Sequence, residues 1–256
     1  MKKLLKNPLF YVMYFIPQLI MTHAVSTFNK TFSNGQTCFA DYYLHFYDWD
    51  SYDFLCMYEV IYVSFFMVML VRRELMSNRV VLYESTTKLW SNTIKSSALF
   101  TIIFPIMNCV IIGIVAAMKN AVFTCNWSKA AAIIPYYELH EINTFIVAGL
   151  SVFLDIIRLQ VTLFIVCIAS WLVRKTIVVF LVVYINIIIV NIQPLLAYCD
   201  MNVKSIYNYM IVSKMGTYLK GISVFDNVVL PVIIWAVCVT ASFLVFRFYR
   251  KDMLKN

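Results

Sequence analysis

Apolar residues fill this chain in six long runs, 8–28, 54–71, 96–118, 144–171, 176–198 and 227–246. A hydrocarbon layer ~30 Å thick takes roughly 20 helical residues to cross, which matches these runs. None alternates with the two-residue period of a barrel strand, and lipid offers no partner to open backbone, so each predicts a helix. The pattern predicts an all-α integral membrane protein with six transmembrane helices in a single membrane domain over residues 1–256. Pro8 suits a first helical turn, and Pro17 predicts a kink within the first crossing. The fourth run exceeds one straight crossing. Either it tilts, or residues 144–153 lie along the surface and the crossing begins near Leu154. Only Arg174 and Lys175 separate it from the fifth run, which predicts a tight turn. Residues 199–226 are too polar to cross, and their apolar spacing predicts short amphipathic helices on the outer surface.

Composition agrees. Apolar residues make up 62% of the chain and charged residues 13%, against about 25% charged in soluble domains. The basic opening "MKKLLKNPLF" lacks a small-residue cleavage site after it, so the first run reads as an uncleaved anchor. The net charge of +8 would suit nucleic acid, but its placement points elsewhere. With both termini in the cytosol, the inner segments hold fourteen basic residues and three acidic ones, Glu74, Glu84 and Asp252. The outer segments hold six basic and eight acidic residues. This is the positive-inside bias of membrane topology, and it argues against a nucleic-acid partner.

Cys56, Cys109, Cys167 and Cys238 fall in crossings, where a thiol behaves as a small hydrophobe. Cys38, Cys125 and Cys199 fall outside, leaving room for one disulfide in an oxidising space. The outer segment "FADYYLHFYDWDSYDF" mixes aromatics with aspartates. It reads as an interfacial belt with solvated acids, or as an acidic vestibule for a cationic ligand. His140-Glu141 has no second histidine at metal spacing, and no metal site is expected. Asn29-Lys30-Thr31 and Asn126-Trp127-Ser128 match the glycosylation triplet, which has no meaning in a bacterial cell.

Between the second and third runs stands a charged island, "RRELMSNRVVLYESTTKLW", from Arg72 to Trp90. Met76, Val80, Tyr83, Thr87 and Trp90 step by four and three, which predicts one amphipathic helix over 72–95. Glu74, Asn78, Ser85, Lys88, Asn92 and Lys95 fall on its polar side. Such a helix lies on the membrane surface with polar groups offered to the cytosol; an ordinary basic juxtamembrane loop is the plainer reading.

At this island the chain resembles the permease subunits of type-2 ATP-binding-cassette (ABC) exporters. That family places an arginine-glutamate pair after the second crossing, then a glycine, an amphipathic stretch with serines or threonines, and a lysine. Here the pattern is Arg73-Glu74, Asn78 at the glycine position, "VVLYESTT" and Lys88. Thr87 stands where many members have proline. The turn in "ASWLVRKTIVVFL" and the outer segment before the last run are also similar to the family's. The closest likeness is to divergent permeases of bacteriocin or toxin-peptide export and immunity. The resemblance implies a coupling helix in which Arg73, Glu74, Asn78, Tyr83, Glu84, Ser85 and Lys88 dock on a separate ABC ATPase subunit. It implies a second permease chain, identical or related, since six crossings make half a path. It further implies a hydrophobic or peptide substrate and a multi-pass place in a bacterial plasma membrane. The chain lacks a GxxxxGK[ST] loop and has five glycines in all, so no cofactor is expected on it, and ATP and Mg belong to the partner ATPase.

Three formally charged residues fall within the runs: Glu59, Asp155 and Arg158. Charges at such depth mark a pair or a pathway. Asp155 and Arg158, three residues apart on one helix, can satisfy each other. The cluster reads as an ion pair that fixes packing, or, with Glu59, as an outer gate for a cationic substrate. Gln18, His23, Asn186, Asn191 and Gln193 read as polar glue between helices. Other classes were weighed: a substrate-binding subunit of an energy-coupling-factor importer, a stand-alone immunity protein, and an intramembrane enzyme. The last lacks paired carboxylates, HExxH and a GxSxG-like serine, so the chain is expected to be non-catalytic.

Overall fold

The computed structural model describes residues 8–31, 37–47, 49–75, 85–124, 143–173, 175–198 and 225–248. They are helical throughout, apart from one isolated parallel bridge between Cys38 and Val122. In chain order the helices are α1 (Pro8–Thr31), α2 (Phe39–Tyr47), α3 (Trp49–Glu74), α4 (Thr86–Ala98), α5 (Phe100–Met118), α6 (Thr144–Leu172), α7 (Thr176–Tyr198) and α8 (Leu230–Phe248).

Among the described residues, three stretches are long and apolar enough to cross a membrane: Thr86–Met118, Thr144–Leu172 and Leu230–Phe248. The bundle is also inverted in polarity. Its outward faces carry apolar stripes, among them Leu9, Met13, Ile16 and Ile20 on α1 and Ile102, Ile106, Val110 and Ile114 on α5. Its interior holds Gln18, Glu59, Ser64, Asn108, Asp155, Arg158 and Thr162. A soluble domain buries the first set and exposes the second. Here the helices are those of an all-α membrane protein, with lipid as the solvent for the stripes.

Helix α6 is the hub, packing against α2, α3, α4, α5, α7 and α8. Two-thirds of its apolar window (67%) is buried, against 17% for α8 at the rim. It is one unbroken helix of 29 residues. The surface-helix alternative for 144–153 is therefore set aside: nothing interrupts the chain near Leu154. Asn143 starts the helix by accepting the Phe145 amide at 2.9 Å, as a cap residue should. Val173 ends it in extended conformation and α7 begins at Thr176; Arg174, in the expected tight turn, lies outside the described residues.

The charged island departs from expectation. A single helix over 72–95 does not form, because Ser85 is extended (φ −150°, ψ 153°) and caps the start of α4. Ser85 Oγ accepts the Lys88 amide at 3.2 Å, and serine stabilises a helix start by satisfying such an orphan donor. The polar stretch from Thr86 to Lys95 belongs to α4, which runs into α5 through Leu99 with helical backbone (φ −60°, ψ −34°). Met76, Asn78, Val80, Tyr83 and Glu84 lie outside the described residues, as do Cys125, Cys199 and residues 199–224, where the amphipathic outer helices were expected. A five-residue π-helical turn, Phe225–Val229, leads into α8.

The segment after α1 also differs from its reading as a solvated belt. Asp41, Tyr42 and Tyr43 of α2 are buried, and α2 packs on α3, α5 and α6. Asp41 is tolerated there because its Oδ2 accepts the Cys38 amide at 2.8 Å, closing the first turn of its own helix. Helix α5 ends in a hydrogen-bonded reversal. Asn120 sits at positive φ (55°), the Ala121 amide reaches Ala116 O and the Asn120 amide reaches Ala117 O. Asparagine is the residue after glycine that best accepts this left-handed cap. The reversal delivers Val122 to Cys38. Cys38 is fully buried there.

Candidate functional site

The three formally charged residues of the runs meet in the core. Glu59 comes from α3, Asp155 and Arg158 from α6, and none is more than 1% exposed. Arg158 Nη2 donates to Glu59 Oε2 at 2.6 Å and also to Asp155 Oδ1. One guanidinium nitrogen thus serves two carboxylates. Asp155 Oδ2 in turn lies 3.4 Å from Asn108 Nδ2 of α5, and Asn108 Oδ1 accepts the Tyr14 hydroxyl of α1 at 2.6 Å. The result is a polar chain through four helices, Tyr14–Asn108–Asp155–Arg158–Glu59. Removing such groups from water is costly unless each finds a partner, which is why they converge on one another. The i, i+3 pair expected from the sequence is present, and Glu59 joins it.

Tyr14 and Asn108 were not singled out by the sequence. Their signal was faint but real: a lone amide in the third run, and a tyrosine whose hydroxyl had to reach something once buried. Gln18, which the sequence did single out, is fully buried.

Two further polar contacts tie the bundle at opposite ends. At the end that carries α2, the Tyr43 hydroxyl donates to Cys109 O at 3.3 Å. The hydroxyl passes beside Gly113, where a Cβ would stand 3.4 Å from it, an ordinary van der Waals distance. Burial pushes the Tyr42 and Tyr43 phenols above their ordinary range, so both stay neutral donors. At the other end, Arg72 Nη2 donates to the Val173 carbonyl at 2.7 Å. The C-terminal carbonyls of a helix lack partners and carry its negative pole, so an arginine there is doubly suited.

Of the expected coupling residues, Arg73, Ser85 and Lys88 are exposed and Glu74 is half-buried, all at this second end. Trp90, one turn further along α4, donates from Nε1 to Ser242 Oγ of α8 at 3.0 Å and sets its ring edge-on to Phe243. Trp171 of α6 stacks on Phe246 of α8 beside it, with ring centroids 4.2 Å apart. Among the described residues no group of three His, Cys, Asp or Glu could hold a metal ion.

No family model matches the chain, and neither a curated protein nor a solved structure is significantly similar to it.

Proposed function

We propose that the chain is the membrane-spanning permease subunit of an ATP-driven ABC exporter, coupled to a separate ATPase. In this reading α1, α3, α4–α5, α6, α7 and α8 make six crossings with both termini in the cytosol. The Arg73/Ser85/Lys88 end faces the cytosol, and a second permease chain completes the path. The cargo is an amphipathic or peptide substrate, as in toxin export or immunity, and the site of action is a plasma membrane.

One observation supports this above the rest. The exposed polar residues Ser85 and Lys88 stand at the head of α4, which runs without a break in helical backbone into the apolar α5. A force applied to that head is not absorbed by a hinge. Trp90 carries it sideways to α8, and the α3 flank of the island carries it through Arg72 to the turn after α6. A push from a docked ATPase moves cargo only if it changes cargo affinity between two arrangements of the bundle, and these fixed contacts are where such a push divides.

The test is co-purification with a P-loop ATPase encoded beside this chain. The complex is expected to survive Glu59→Gln and to be lost in a Glu74→Ala/Tyr83→Ala variant. Survival of the complex after alanine replacement of the whole Arg73–Lys88 polar face rejects the reading. So does labelling of Ser85→Cys in intact cells by a membrane-impermeant thiol reagent.

A further inference from the structure

The buried cluster does not balance its charge. Two carboxylates, Glu59 and Asp155, share one guanidinium nitrogen of Arg158, and all three side chains are sealed from solvent. If both acids are ionised, these three side chains carry a net charge of −1 out of contact with bulk water. Ionised groups held out of water without a counter-charge cost many kcal/mol, so such sites neutralise. Asn108 gives Asp155 an amide donor, but an amide adds no charge.

A second observation locates the missing positive charge. Glu59 Oε2 is taken by Arg158, while its other oxygen, Oε1, is buried with no hydrogen-bond partner among the described residues. The Glu59 and Asp155 carboxylates are brought together at one arginine nitrogen, Arg158 Nη2. Two carboxylates in contact normally repel, and one proton between them turns that repulsion into a hydrogen bond. A metal or alkali cation would need several oxygens around it, and the cluster has one to spare. A proton needs only one.

We propose that the Glu59–Asp155 pair holds one proton in the closed bundle, which makes the cluster a proton-binding site. The proton comes from bulk water and forms an O–H bond on a carboxyl oxygen, leaving Arg158 and the remaining carboxylate as a neutral pair. Among the described residues, the ionisable groups of the surrounding elements include Tyr58 and Tyr62 of α3, Tyr14 and His23 of α1, Asp41 and Tyr43 of α2, Cys109 of α5, Cys167 of α6 and Tyr184 of α7. The groups that can be positive stand away from the cluster: at 1.5 Å per residue His23 is ~13 Å along α1 from Tyr14 and Arg72 ~20 Å along α3 from Glu59, and Arg73, Lys88, Lys95 and Arg247 are exposed. The closed bundle then carries one proton more than an arrangement in which α3 and α6 part and both acids meet water. Raising the pH therefore favours parting, and lowering it favours closure. This inference concerns the cluster alone and stands whether or not an ATPase drives the chain.

Infrared spectroscopy of the full-length chain in lipid nanodiscs at neutral pH tests it. The expected result is a protonated-carboxyl C=O band that moves in D2O and is lost in Glu59→Gln. Asp41→Asn should leave that band in place. In the wild-type chain, carboxyl 13C labelling of glutamate, or separately of aspartate, should shift the band, so the result does not depend on a variant folding. Absence of the band, a band shifted by neither label, or a band removed only by Asp41→Asn overturns the proposal. Sodium- or potassium-dependent thermal stabilisation that disappears in Glu59→Gln also overturns it, since a cation would then supply the missing charge.

Discussion

The Tyr58 hydroxyl donates to the Met13 carbonyl across the α1–α3 contact at 2.9 Å. Met13 stands four residues before Pro17, which lies inside α1. In a regular helix that carbonyl accepts the amide proton of residue 17, and proline has none to give. The tyrosine replaces the donor that the proline removed. Tyr62 repeats the contact one turn away, donating to Phe10 O at 2.8 Å. Around these bonds Phe10, Tyr14, Tyr58, Tyr62, Phe66 and Phe104 form a ring-to-ring cluster. A proline that costs α1 a bond is thus matched by a neighbour placed to restore it.

Tyr58→Phe is expected to destabilise the bundle by about 1 kcal/mol, the usual worth of one such bond. In a Pro17→Ala background, where the helix recovers its own donor, that cost should fall to near zero. A double-mutant cycle on unfolding in mixed micelles measures the difference. Equal costs in both backgrounds would show that Tyr58 acts only by packing.

Arg158→Leu leaves Glu59 and Asp155 buried against each other without a counter-charge. Loss of one partner from a buried ionic cluster costs on the order of 3–5 kcal/mol, so the variant should accumulate poorly and unfold early. Adding Glu59→Gln and Asp155→Asn to it removes both acids and should recover most of the loss. The yield of monodisperse protein after detergent extraction is the measurement. A triple variant as unstable as Arg158→Leu alone would place the role of Arg158 in its shape rather than its charge.

Arg72→Met keeps most of the side-chain volume but gives up the bond to Val173 O. Bonds from charged donors are worth about 1.5–3 kcal/mol, and the loss should be local. Faster hydrogen exchange at the end of α6 and the start of α7, with α1 unchanged, is the expected pattern.

Ser85→Ala removes the cap of α4 and should cost about 1 kcal/mol, whereas Ser85→Asp should keep or strengthen the cap, because a negative charge also suits the helix start. Thermal unfolding separates the two. If both variants behave alike, the Ser85 side chain does not hold the head of α4.

Much of the architecture could be read from the runs of apolar residues, because helix length and lipid contact depend on composition averaged over many positions. The pairing of Asp155 with Arg158 was equally legible, since three-residue spacing on a helix puts them together whatever surrounds them. Glu59 needed the fold: whether α3 turns it toward α6 or toward lipid is decided by packing, ninety-nine residues away in sequence. The burial of Asp41, Tyr42 and Tyr43 was hidden for a different reason. A short segment rich in aspartate and tyrosine looks water-loving by composition, and only the local bond from Cys38 to Asp41 and the bond from Tyr43 to Cys109 reveal how it is accommodated. The break at Ser85 was misread because a four-and-three apolar spacing continues through it. A serine followed three residues on by a donor to its oxygen was the overlooked sign.

The bridge between Cys38 and Val122 joins stretches that flank α2 and follow α5. It therefore cannot close until every helix between them has been made and brought alongside. Contacts that enclose so much intervening chain are slow to find and form late. That corner is the last stitch of the first half of the bundle, and its resistance to protease during synthesis would time the moment at which α2 to α5 have come together, before α6 is added.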